Sequence, residues 1–413
     1  MNLSLGVLGE REFRLLFVAR TVSYFGDKIA PVALTFAVLA VTKSLVNLGI
    51  VLSAREVSAM ACLLIGGVFA DRVKRTRIMI AGDLAMGVTQ AITAILLLTG
   101  NAKIWELFVL QLVYGTALGL WMPAVRGVVP QTVSPRLIQD ANSLLQVAIA
   151  SASIVGPAAG GVLVAAGSPG AAFAVDAGTF LFSATVVSMI RVADVTRVGQ
   201  GGFLAELRAG WGEFSSRTWL WTSVLAFSLG NFCLAAPFYV LGPYIAKTHL
   251  GGAGTWGIVL AAAAGGSLLG GAAALRIRPS RPLFVMFVAW GIEISQLCAL
   301  AALAPRWVLV PAAAISGAGL AVALTLWYSV MQTEVPGESL SRVSSYDDFG
   351  SYVSVPLGFV FVGVLAAKLG TSATLWGCVV GSAVIIVSAA ASPAVRGLRR
   401  RIPADAAAVA AVD

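Results

Sequence analysis

Gly66-Gly67-Val68-Phe69-Ala70-Asp71-Arg72-Val73-Lys74-Arg75-Thr76-Arg77 crowds four cations and one carboxylate into a dozen residues. On each side lie about twenty almost unbroken apolar residues, the length that crosses a bilayer as a helix. Charges this dense must stay in water, so the stretch is a short loop at a membrane surface between two spans.

A related stretch lies half a chain further on. Gly271-Ala272-Ala273-Ala274-Leu275-Arg276-Ile277-Arg278 repeats the glycine and the cations at the same offsets, with Leu275 in the place of Asp71. Gln131-Thr132-x-x-Pro135 likewise recurs as Gln332-Thr333-x-x-Pro336. Two matches near half the chain length read as an internal duplication, the sequence mark of transporters built from two similar halves.

The composition agrees with a membrane location. The chain of 413 residues is 58% hydrophobic and 11% charged, against roughly 25% charged in soluble domains. Its net charge of +9 reflects placement rather than a nucleic-acid surface. Of the 28 Lys and Arg residues, 19 fall in one alternate set of connections and the two termini, and five in the other set. Cations gather on the cytoplasmic side of membrane proteins, so both ends are predicted to be cytoplasmic.

Apolar runs place spans at 13–41, 47–69, 78–98, 105–129, 142–164, 171–192, 218–241, 256–275, 283–303, 307–330, 344–365 and 371–391. Barrel strands would be half as long and alternating. The expected fold is an all-α membrane protein of twelve helices in two pseudo-symmetric six-helix bundles. Its parts are an N-terminal half (1–192), a cytoplasmic linker (193–217), a C-terminal half (218–391) and a cytoplasmic tail (392–413). In the linker Phe203, Leu204, Leu207, Trp211 and Phe214 share one helical face, as in a helix lying on the membrane surface. The Arg-rich tail suits anionic headgroups. Cys62, Cys233, Cys298 and Cys378 fall inside spans and read as packing residues. Asp27, central in the first apolar stretch, rules out a plain signal-peptide core.

The first span is the most polar. Arg20, Tyr24, Asp27 and Pro31 share one helical face, which must look into the protein. Arg55 and Glu56 sit mid-way along span 2, and antiparallel neighbours bring Asp27 and Arg55 to similar depth, where a pair is the cheapest way to keep both charges. That pair serves either as a structural clamp or as a proton-handling site. In span 4, Gln111, Gly115, Gly119, Met122 and Arg126 form a small-residue stripe that permits close helix approach. Arg126 is expected to pair with Asp83 of span 3. Span 6 carries Asp176 and span 9 carries Glu293.

The loop resembles the signature of the major facilitator superfamily, Gly-x-x-x-Asp-Arg-x-Gly-Arg-Arg. Gly67, Asp71, Arg72 and Arg75 match it, while Lys74 and Thr76 depart from it. Gly156-Pro157-x-x-Gly160-Gly161 in span 5 resembles a motif of exporters in that superfamily. With Phe13–Leu16, Gly26-Asp27, residues 135–142 and residues 172–184, the first half is similar to the drug:proton antiporter subgroup that includes macrolide and siderophore exporters. The resemblance implies gating through Gly67, Asp71, Arg72 and Arg75, with Asp71 meeting the start of span 11 near Ser341–Ser345. It also implies that spans 3, 6, 9 and 12 stand outside the central cavity, which would set Asp176 and Glu293 aside.

A substrate cavity is expected from Tyr24, Gln111, Tyr114, Asn231, Tyr239, Trp327 and Tyr328, although rings at helical spacing equally often serve packing. Proton coupling is assigned to Asp27, Arg55 and Glu56. The only histidine is His249, no zinc motif is present, and no Gly-x-x-x-x-Gly-Lys-Ser/Thr loop is present for ATP. The expectation is a non-enzymatic exporter of a lipophilic or amphipathic molecule in the inner or plasma membrane. It needs no cofactor or metal, acts as a monomer, and has the substrate, protons and lipid as partners. The alternatives are a sensor or a facilitated-diffusion carrier on the same scaffold.

Overall fold

Apolar runs of this length have one stable form in lipid, the helix, because every backbone donor must be satisfied within its own segment. The computed structural model describes residues 5–192 and 210–399, with the side chains of all of these except 5, 64–72, 126, 337, 338, 341 and 342. It holds 12 helices long and apolar enough to cross a membrane, and no strand among the described residues. The first half consists of α1 (Arg11–Val41), α2 (Leu45–Arg72), α3 (Arg75–Leu98), α4 (Ile104–Thr132), α5 (Ile138–Ala166) and α6 (Pro169–Ser188). The second half consists of α7 (Thr218–Cys233 and Ala235–His249), α8 (Ala253–Ala274), α9 (Pro282–Gly291 and Ile294–Ala301), α10 (Arg306–Glu334), α11 (Gly337–Tyr352 and Val355–Leu369) and α12 (Thr371–Ala391). Most of residues 193–217 and 392–413, the expected linker and tail, lie outside the described residues. Of the linker face, Trp211 and Phe214 stack on each other and meet Tyr346 of α11.

The pairing of helices follows one rule in both halves. α2 packs on α4, α3 on α6, and α1 on α5 and α6. Adding six to each label gives the contacts of the second half, α8 on α10, α9 on α12, and α7 on α11 and α12. The same symmetry joins the halves, through α5 against α8 and α2 against α11.

Several helices outrun their apolar cores. α7 continues to His249 and α10 to Glu334, because a helix keeps its backbone bonds beyond the hydrocarbon while hydropathy registers only the apolar part. Three helices are broken. Pro237 and Pro356 have no N–H for the carbonyls of Cys233 and Tyr352, and α7 and α11 part at those residues. α9 parts between Gly291 and Ile294 without a proline.

The halves are sealed at the end that carries the α1–α2, α5–α6, α7–α8 and α11–α12 turns. Gly49 lies on the Phe359 carbonyl and Gly257 on the Pro157 carbonyl. Cβ atoms added at Gly161 and Gly363 would come within 2.6 Å and 2.5 Å of the Ala253 and Leu45 carbonyls. Lys247 Nζ donates to the Leu39 carbonyl at 3.0 Å, and Ser53 Oγ to the Pro356 carbonyl at 2.7 Å. Backbone faces backbone at these points, so a side chain has nowhere to retreat.

Gly257→Leu is therefore expected to disfavour this sealed arrangement. Overpacking costs about 1–3 kcal/mol, enough to move a conformational ratio by roughly 5–150-fold. Spin labels at Ala166 and Thr248 should report a longer distance in the variant than in the parent. An unchanged distribution would mean that the α5–α8 contact does not govern closure.

Candidate functional site: a buried charge network beside an interhalf cavity

The polar face of α1 organises the first half. Arg55 Nη2 donates to Asp27 Oδ1 at 3.1 Å, and the Tyr114 hydroxyl donates to the same oxygen at 2.8 Å. The Arg55 guanidinium also lies 4.5 Å from the centre of the Tyr114 ring. Solvent reaches 24% of the Asp27 side chain and 16% of Arg55, so the pair is held in place without being sealed. Pro31 lacks an N–H and leaves the Asp27 carbonyl without its intrahelical donor, loosening α1 one turn beyond the carboxylate. Glu56 is half-buried on α2 and makes no hydrogen bond or ion pair among the described residues.

Two turns earlier, Arg20 forms a separate network. Its Nη1 lies 3.5 Å from Asp83 Oδ1 and 3.4 Å from Ser183 Oγ, its Nη2 donates to Ser23 Oγ at 3.3 Å, and Ser183 donates to Asp83 Oδ2 at 2.7 Å. The guanidinium sits 4.0 Å from the Trp121 ring centre and 4.9 Å from that of Tyr24. Arg20 and Asp83 are 1% and 0% exposed. Asp83 is thus paired with Arg20, and the expected contact with Arg126 lies outside the described residues. α3 and α6 pack closely and turn Asp83 toward α1.

Asp176 lies against the same face. Its Oδ2 accepts from Gln90 Nε2 at 2.6 Å, and a Cβ at Gly26 would come within 2.6 Å of its Oδ1. Sequence alone does not single out Gln90, and it includes Ser183 only within residues 172–184; a polar side chain in mid-span is the signal that marks each of them.

A cavity of about 620 Å³ opens where the halves meet. Lys28 and Pro31 of α1 and Pro157 of α5 wall one side, and α7, α8, α10 and α11 wall the other. Asn231, Tyr239, Trp327 and Tyr328 are on its lining, whereas Tyr24, Gln111 and Tyr114 are not. Tyr114 is wholly buried, packed edge-on against Phe180, and Gln111 is 2% exposed. Asn231 Nδ2 donates to the Ser351 carbonyl at 3.0 Å across the α7–α11 contact.

Glu293 requires a correction, because it does line the cavity. Its helix breaks next to it. The facing stretch of α10 is small, and a Cβ at Gly319 would meet the Ala289 carbonyl at 2.5 Å. α9 therefore approaches α10 closely enough for Glu293 and Gln296 to look past it.

The glycine motifs are contact points. Gly115 and Gly119 lie on the Arg55 and Ala59 carbonyls, pressing α4 onto α2. Gly156 abuts Lys28, Gly160 abuts Ile29, and Gly161 abuts α8, so Gly156, Pro157, Gly160 and Gly161 wedge α5 between α1 and the other half. In the loop, Arg75 Nη1 donates to the Gly127 carbonyl at 2.5 Å. The side chains of Gly67, Asp71 and Arg72, and the expected Asp71 contact, lie outside the described residues. No group of three metal-ligating side chains occurs among the described residues.

Comparison with known proteins places this geometry. The family model described as "Transmembrane secretion effector" matches residues 4–409. Over 375 residues the chain is 24% identical to the enterobactin exporter EntS of Salmonella typhi, covering 89% of each. A crystallised variant of the nucleoside transporter NupG superposes with a TM-score of 0.77 at 11% identity, covering 92% of this chain and 98% of that one. The inward-facing, unoccupied structure of a bacterial homolog to the human lysosomal transporter Spinster gives 0.69 at 15% identity, covering 92% and 95%. At such identities the two structures speak for the fold alone. With the family model spanning nearly the whole chain, the protein belongs to the transmembrane secretion effector family of major facilitator superfamily transporters.

Proposed function

We propose that this chain is a secondary exporter which moves an amphipathic small molecule of the drug or siderophore class outward, coupled to proton entry through Asp27. The observation that carries the reading is the position of Asp27. It is a partly accessible carboxylate clamped by Arg55 and Tyr114, next to Lys28 and one turn before Pro31, both of which wall the interhalf cavity. The secretion family and the siderophore-exporting relatives support the outward direction.

The mechanism uses two exclusive states of one group. Apolar surroundings penalise a charged Asp27 and the adjacent guanidinium favours it, so modest changes in access shift the balance. With both termini cytoplasmic, as the cation asymmetry implies, the sealed end is external and the structure corresponds to the loading state. A proton arriving from outside neutralises Asp27 and weakens its hold on Arg55, and substrate leaves outward. Loss of the proton to the cytoplasm restores the pair and resets the carrier.

Cells producing the protein should accumulate less of a lipophilic fluorescent dye than cells without it, and a protonophore should erase the difference. Equal accumulation at confirmed protein levels would favour a sensor, and a difference that survives the protonophore would remove the proton from the scheme.

A further inference from the structure

The relatives that export enterobactin give no reason to look for cation recognition, yet the second-half wall of the cavity carries the carboxylates of Glu293, Asp347 and Asp348. Glu293 Oε2 accepts from the Trp290 indole at 2.9 Å. Asp347 Oδ2 accepts from the Trp327 indole at 2.9 Å, and its Oδ1 accepts from the Ser351 hydroxyl at 3.2 Å. Both carboxylates line the cavity, and neither has a cationic side chain within ion-pairing distance among the described residues. Their donors are neutral: indoles and a hydroxyl orient a carboxylate without neutralising it.

A different kind of observation comes from Gln296, three residues beyond Glu293 and on the same wall. It is 5% exposed, and its Oε1 meets no donor among the described residues. A buried amide left in this condition carries a desolvation penalty, which a bound donor would relieve. Between the two acids the wall is aromatic. Phe227 meets the Trp290 ring edge-on at 5.0 Å and the Trp327 ring at 5.1 Å, and the faces of such rings attract cations. Lys28, on the opposite wall, is the one cation among the described lining residues, set against Glu293 and Asp347.

We infer that the second-half wall of this cavity is a binding site for an organic ammonium, with Glu293 supplying the counter-charge, Gln296 accepting from the N–H, and the Phe227–Trp290–Trp327 cluster holding the apolar body. The inference rests on the export reading in taking this cavity as the substrate site, and it narrows the cargo to amphipathic amines. Glu293 and Asp347 then act as substrate ligands in the second half, apart from Asp27 in the first.

Three probes with one fluorophore test it: dansylcadaverine, which ends in an ammonium; its N-acetyl derivative, which is neutral; and dansyl-aminohexanoic acid, which ends in a carboxylate. Fluorescence titration of the purified full chain in nanodiscs should show dansylcadaverine binding at least tenfold more tightly than either of the others. Glu293→Gln keeps an acceptor for Trp290 and the side-chain volume; it should remove that preference while leaving the weak binding of the acetylated probe unchanged. Gln296→Met should weaken the ammonium probe several-fold without creating affinity for the carboxylate. Equal binding of all three probes, tighter binding of the carboxylate, or an undiminished preference in Glu293→Gln would each overturn the site. Transport is read separately: a parent protein that binds the ammonium probe selectively but never moves it uphill in proteoliposomes keeps the site and loses the export reading, whereas uphill transport without charge preference does the reverse.

Discussion

In proteoliposomes with an imposed pH gradient, Asp27→Asn is expected to abolish uphill efflux while exchange of substrate down its own gradient survives. Asparagine keeps an oxygen for the Tyr114 hydroxyl, which lies 2.8 Å from Asp27 Oδ1, and it matches the carboxylate in size. What it lacks is the charged form, and with it the ability to hold a proton in one state and the Arg55 guanidinium in the other. Coupling needs both forms, whereas exchange needs only that the halves rock around a loaded cavity. The loss should therefore be complete for accumulation and slight for counterflow, measured at equal reconstituted protein. Arg55→Ala should alter the pH dependence of transport and leave substrate binding in place. An Asp27→Asn protein that still concentrates substrate would move the carrier to another group, with Glu56 next in line, or end the proton scheme.

The largest effect on stability is expected at Arg20. Arg20→Leu leaves Asp83, which is 0% exposed, with the Ser183 hydroxyl at 2.7 Å as its remaining close donor and no counter-charge among the described residues. Breaking a buried pair from one side costs about 3–5 kcal/mol, because the penalty of burying the surviving charge is no longer offset. The variant also loses the guanidinium stacked 4.0 Å from the Trp121 ring. Thermal unfolding in detergent should show a clearly lower Tm, and the double variant Arg20→Leu with Asp83→Asn should recover much of it. If the single variant unfolds with the parent, the pair is not what ties α1 to α3 and α6.

These two residues show how far a sequence reaches. Span lengths, the alternation of cations, the duplicated loop and the polar face of α1 are consequences of transfer free energy and helical period. Both act along the chain, so the twelve-helix, two-half architecture was legible without coordinates. The Asp27–Arg55 contact was legible for a related reason: adjacent antiparallel spans fix depth, and two opposite charges at one depth find each other.

Partner choice between helices distant in sequence obeys other rules. Asp83 pairs with Arg20 because α3 packs on α6 and turns that carboxylate toward α1, and the rotation of a helix about its axis is set by its neighbours. Glu293 enters the cavity because α9 breaks beside it and the facing stretch of α10 is small, neither of which hydropathy registers. From sequence alone came the membrane, the count of spans, the duplication and the one charge pair that depth dictates. Tertiary structure decided which acids face the cavity and which are buried in packing, since that depends on the close approach of helix backbones, a property of pairs of helices rather than of any single stretch of chain.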